Sequence, residues 1–217
     1  MAPEIAAAAA ADGAAVEIVT KIGEDGAGEE LLLALARARV GHLAVLRDPA
    51  GQTSLTADED EPPDEELDLV PALLVAAEAE AADAEAEAEA ARRRPAGSRS
   101  ASPSAPILEP ADLTLALGYL RDYRVVVAVE PFADGGAAVI AESASFVDAV
   151  LVVIAPSGLP VPAAYAAATL IEAPEDDPEG AFAALVGRYA AALDRGIAPA
   201  EAFRAATAEG GWNVAGD

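Results

Sequence analysis

The chain has 217 residues and a formal net charge of −25, long enough for one α/β domain with a sizeable core. That charge sets it against nucleic acid and anionic membrane surfaces as partners. With no cysteine there is no disulfide and no thiolate metal site, and no apolar run reaches the roughly 18 uncharged residues of a membrane span.

The opening stretch Ile5 to Ala11 is built almost wholly of alanine and lacks a basic leader, so it reads as an Ala-rich helix and not as a signal peptide. A cytoplasmic location is the expectation. Val16 to Thr20 (VEIVT) predicts a buried strand, followed by a glycine-rich turn and a helix from Glu29 to Arg39. Asp25 is placed as the N-cap, Glu29 and Glu30 at the positive end of the helix dipole, and Arg37 and Arg39 at the negative end. Leu31, Leu32, Leu35 and Ala38 form its apolar face, and Gly41 is expected to stop it. The lone histidine, His42, falls in the connection and has no second metal-binding side chain near it in sequence, so it reads as structural or surface. Leu43 to Arg47 predicts the next strand, with a turn at Asp48 to Gly51.

Residues 57–106 differ in kind. They pass from ADEDEPPDEELD through EAEAADAEAEAEAARRR to PAGSRSASPSAP. This composition predicts a linker or insertion, with at most a solvated Ala/Glu helix and a disordered Ser/Pro/Arg tail. Domain organisation follows: residues 1–56 and 107–217 are two parts of one α/β domain that the acidic segment interrupts.

Beyond the linker, Ala111 to Leu120 is apolar and ambiguous between strand and helix. Arg121 and Arg124 flank Tyr123 and read as surface positions or as anion contacts. Arg124 to Glu130 (RVVVAVE) predicts a strand, Asp134 to Val147 a helix, Val150 to Ala155 (VLVVIA) a second strand and Thr169 to Glu172 a third. Continuous β-branched runs alternating with helices imply a mainly parallel sheet covered on both faces. In the following helix Phe182, Leu185, Val186, Tyr189 and Leu193 share one face, Gly196 is placed as a left-handed cap, and Pro199 starts a closing helix to about Ala208. Trp212 reads as an anchor for the tail or a contact with another chain.

The turn before that helix, Pro174 to Phe182 (PEDDPEGAF), lies between a strand end and a helix N-terminus, a common place to hold phosphate. Its flanks resemble the D-T-x-G-A-G-D-A-F signature of the ribokinase-like (PfkB-type) carbohydrate kinases. A second segment, VTKIGEDGAGEELLLALARARVGHLAVLRDPAGQTS, is similar to the family's G-x-D-x-x-G region, with Gly23, Asp25 and Gly28 in register. The resemblance implies a three-layer α/β sandwich. It implies a nucleotide beside Ser157 and Gly158, and phosphoryl chemistry at Glu179 and Gly180. It also implies ATP and magnesium as cofactors wherever kinase activity persists.

The residues that would perform that chemistry depart from the pattern. The family's base position falls on Gly180, which has no side chain to accept a proton, and Glu179 could serve only after a slip of one residue. Pro178 deletes a backbone N–H, and Glu175, Asp176, Asp177 and Glu179 crowd the place of the anion. The family's N-x-x-E motif is missing, because the only asparagine is Asn213. The family's N-terminal strand is missing too. No catalytic residue and no metal centre are therefore assigned, although the Glu175 to Glu179 carboxylates could meet a divalent ion through oxygen.

The expectation is a truncated, degenerate sugar-kinase homologue with little or no phosphotransferase activity, acting by binding a ligand or partner. Partners in scope are a second copy of the chain, another protein, or a small sugar or nucleotide. The alternatives are an active carbohydrate or nucleoside kinase that uses Glu179, and an acidic interaction protein working through its linker.

Overall fold

The computed structural model describes residues 1–53, 105–120 and 122–209. Residues Met1–Ser54 and Ser104–Asp217 form one compact unit. The predicted linker at 57–106, apart from its last two residues, lies outside the described residues, as do Arg121, Trp212 and Asn213.

The elements in chain order are α1 (Ala2–Ala11), β1 (Glu17–Gly23), α2 (Gly26–Arg37), β2 (Gly41–Asp48), α3 (Pro110–Tyr119), β3 (Val125–Val129), α4 (Gly136–Phe146), β4 (Val150–Pro156), a short 3₁₀ turn (Ala163–Tyr165), β5 (Thr169–Ala173), α5 (Ala181–Asp194) and α6 (Pro199–Glu209). Among the described residues all strand pairing is parallel, as the continuous β-branched runs imply. It is divided between two sheets, β1–β2 and β3–β4–β5. The ambiguous segment after the linker is helix α3. Pro110 at its start and Asp112, whose carboxylate accepts from the Glu109 backbone N–H at 3.1 Å, supply the helix-start signals that its apolar composition hides.

β4 is the centre. Val152 and Ile154 point into a cluster with α5, α6 and Ile5 of α1, while Val153 points the other way, to Leu113, Ile140 and Tyr165. Alternation along one strand thus feeds both faces and gives the helix–sheet–helix layering. α1 joins the two sheets: Ile5 packs with α5, and the next residue, Ala6, packs with Ile18 of β1 and Leu35 of α2. A second tie is the ion pair of Lys21 on β1 with Asp112 on α3 at 3.0 Å. The hydrogen bond to Asp112 raises the lysine above its ordinary value. The Glu109 N–H, followed by Lys21, lowers the aspartate.

α2 begins at Gly26 and not at the predicted Glu29, and its C-terminal end departs from prediction as well. α2 ends with Ala38 as its cap and Arg39 in the left-handed region at φ 61°, so Gly41 opens β2 and does not stop the helix. Arg39 N–H to the Ala36 carbonyl and Val40 N–H to the Leu35 carbonyl close the end, with Val40 and Leu35 buried together. The same two-bond closure ends α5, this time with Gly196 left-handed at φ 81° as expected. His42, placed in the connection, is an exposed residue of β2.

α5 is buried nearly all round, and Gly187 explains how α1 reaches it. A Cβ there would meet Ala8 Cβ at 2.5 Å, and Ala9 N and Ile5 O at 2.8 Å. Gly118 on α3 is the opposite case, with nothing within 4 Å of a built Cβ. Replacing an exposed helical glycine by alanine gains about 0.5–1 kcal/mol, whereas overpacking a close contact costs about 1–3 kcal/mol. Gly118→Ala is therefore expected to raise, and Gly187→Ala to lower, the midpoint of denaturant unfolding. A raised midpoint for Gly187→Ala would show that α1 does not press on α5.

Candidate functional site

β5 delivers the chain at Ala173 to the acidic turn, and the turn ends at Gly180, the N-cap of α5, held left-handed at φ 64°. The first N–H groups of any helix lack intrahelical acceptors. Here Asp177 supplies them. Its Oδ1 accepts from Phe182 N at 3.0 Å and its Oδ2 from Ala183 N at 2.9 Å, while its own carbonyl accepts from Gly180 N at 3.0 Å. The left-handed glycine folds the chain back so that a carboxylate three residues before the cap can reach over the helix end.

Two amides at the helix start, the kind of group that can hold an outside anion, are thus occupied by the protein's own carboxylate. A second anion there would also face the Asp177 charge at short range, where Coulomb repulsion is strongest. Glu179 is exposed and lines neither of the nearby grooves, and Gly180 has its backbone role alone. Glu175 and Asp176 are exposed on the same turn. Among the described residues no group of three or more His, Asp or Glu side chains is arranged to hold a metal ion. The carboxylate most favourably placed in the turn is already engaged by backbone N–H groups.

Beside the turn lies an open cleft of about 640 Å³ between β5, α5 and α6. Its floor is apolar, made by Ile171, Phe182, Leu185 and Phe203, and its rim carries Ser157, Glu172 and Glu175. Ser157 Oγ donates a short hydrogen bond to Glu172 Oε1. Gly158, left-handed at φ 73°, lines a smaller neighbouring groove with Leu159 and Leu170. The structure therefore brings Ser157 into the same cleft as the strand-to-helix turn, leaves Gly158 next door, and keeps Glu179 and Gly180 outside both. Phe203 and Thr207 come from α6, far along the chain, and no local sequence signal marks them as cleft residues.

The G-x-D-x-x-G segment uses its aspartate in the same way. Asp25 Oδ1 accepts from Gly28 N at 2.8 Å and Oδ2 from Thr53 N at 2.7 Å, and Thr53 Oγ1 accepts from Gly23 N at 2.8 Å. This closed ring ties the end of β1, the start of α2 and the chain after β2. The Thr53 and Gly28 N–H groups hold the Asp25 carboxyl below its ordinary value. Arg124 donates to the Asp194 carbonyl at the end of α5 at 3.2 Å, a cation at the negative helix end. Away from the cleft, the Tyr165 hydroxyl and Glu130 Oε1 are buried without a hydrogen-bond partner. Burial, and then the neighbouring Glu130, push the phenol far above its usual range.

No protein-family model and no curated protein matches the chain. Among solved structures, the fold is similar to one described as the crystal structure of Sa239, with a TM-score of 0.56 and 11% identity over 99% of this chain and 81% of that one. At that identity the likeness speaks to fold alone. No helix among the described residues is long and apolar enough to cross a membrane.

Two measurements check these assignments. Asp177→Ala strips two amides of their acceptor and is expected to lower stability by about 1–2 kcal/mol in denaturant unfolding, with Asp177→Asn intermediate. An unchanged midpoint for the alanine variant would dissociate Asp177 from the helix end. For Asp25 the folded value lies below the ordinary 3.8, so its contribution is complete above that pH and is lost as pH falls through the folded value. Acid titration of stability should therefore be flatter in Asp25→Asn than in the parent below pH 3.8; parallel acid limbs would remove the network.

Proposed function

We propose that the chain is a degenerate homologue of the ribokinase-like carbohydrate kinases, with little or no phosphotransferase activity, that binds a small ligand or partner through the retained α/β scaffold. The observation that carries this reading is the Asp177 carboxylate on the Phe182 and Ala183 amides. Phosphoryl transfer depends on preorganised donors aimed at developing negative charge, together with a base that takes the hydroxyl proton. In this chain the donors already have an acceptor, and the residue aligned with the base is Gly180. Glu179, the substitute, stands exposed and outside the cleft.

The parallel strands with helices on both faces, and the element order strand–turn–helix at both similar segments, support the resemblance at the level of architecture. What persists is a scaffold with a cleft at the carboxyl ends of β4 and β5, where open α/β sheets place ligands. Function belongs to the site and not to the fold, and this site keeps shape while lacking phosphate chemistry.

Calorimetric titration with magnesium-ATP and an ADP-release assay over a panel of sugars and nucleosides test the reading. The expected result is no ATP-dependent thermal stabilisation and no release above background. Brisk ADP release that Glu179→Gln abolishes would overturn it and establish an active kinase.

A further inference from the structure

The cleft beside α5 has a donor and acceptor inventory that selects a ligand, on the reading above that the site binds without transferring phosphate. Four side chains with polar groups line it: Ser157, Glu172, Glu175 and Thr207. Glu172 and Glu175 are acceptors when ionised. Ser157 donates its hydroxyl hydrogen to Glu172 and so presents only lone pairs. Thr207 Oγ1 lies 3.0 Å from both the Phe203 and Arg204 carbonyls, which take its hydrogen within α6. Among the described residues no lysine or arginine lines the cleft. Every polar side chain of the described lining is thus an acceptor, and its fixed charge is negative.

The floor complements that rim. Phe182 and Leu185 are buried beneath it, and Phe203, 39% exposed, is held edge-on to Tyr189 with ring centroids 5.8 Å apart. An aromatic ring so fixed offers an apolar surface and a π-face that attracts cations. A low-dielectric wall with carboxylates at its mouth focuses negative potential, and the net charge of −25 reinforces it.

We propose that this cleft takes a small organic cation, with a flat apolar body against Phe182, Leu185 and Phe203 and a protonated amine donating to Glu172 and Glu175. An anion meets like charge at the rim, and the nearest helix amides are taken by Asp177. A neutral ring fills the floor but leaves the carboxylates without a donor.

Three probes that share the indole ring separate these cases: tryptamine as the cation, tryptophol as the neutral alcohol and indole-3-propionate as the anion. In calorimetric titrations of the full chain at low salt, tryptamine is expected to bind about tenfold tighter than indole-3-propionate, with tryptophol between them. The double variant Glu172→Gln/Glu175→Gln should bring all three within about twofold of one another. A control at two exposed acids elsewhere, Glu24→Gln/Glu30→Gln, should preserve the preference. Thermal unfolding of each variant confirms that it is folded. Equal affinity across the series, no binding of any probe, a preference that survives the cleft variant, or one that the control also abolishes would each overturn the proposal. These outcomes stand apart from ADP release, which would overturn the degenerate-kinase reading without touching the charge preference.

Discussion

The structure depends on a single recurring interaction, a side-chain carboxylate at the free end of a helix. Asp25 serves α2, Asp112 serves α3 and Asp177 serves α5. Each satisfies at least one N–H group at a helix start and places negative charge at the positive end of a helix dipole. In a chain with 38 acidic and 13 basic residues, such placements offset part of the self-repulsion that a large net charge imposes on a compact state. Asp25 and Asp112 reach further: the first holds three chain segments in one ring, and the second meets the sole lysine across to β1.

Packing supplies the complementary constraint. α5 is buried nearly all round because α1 covers a face that a surface helix would leave to water. The alanine-rich sequence of α1 and the bare Cα of Gly187 allow that approach. Small residues here are not filler: they set the distance between two helices, and through Ile5 and Ala6 they fix the relation of the two sheets. The same alanine richness deprives α1 of a pronounced apolar stripe, so its partner could not be read from periodicity.

Much of the architecture was legible for local reasons. VLVVIA reads as a doubly buried strand because both faces of β4 are covered, and the spacing of Phe182, Leu185, Val186, Tyr189 and Leu193 reads as a core face because all five are buried. Asp25 is a side-chain cap within three residues of the amide it serves, so the sequence exposes it. Arg39 is different. A left-handed arginine is uncommon, whereas Gly41 two residues on is the residue type that ordinarily ends a helix. The split into two sheets was equally hidden, because it depends on which strands hydrogen bond across the fold. Cleft residues from α6 escaped for the same reason, and the apolar run of α3 hid the helix-start signals of Pro110 and Asp112, which left that segment ambiguous between strand and helix.

Asp177 shows how an internal carboxylate closes an anion site. Amides that await a ligand's phosphate are unsatisfied in the free protein, and the folded state then gains their hydrogen bonds only when ligand is present. Amides that hold an internal carboxylate are satisfied at all times. A sequence that places aspartate at the right reach, with glycine to turn the chain, therefore gains stability independent of ligand at the expense of the anion site. The strand, the turn and the helix are each held by contacts within the protein. The group that stabilises the helix end is therefore also the group that turns an outside anion away from it.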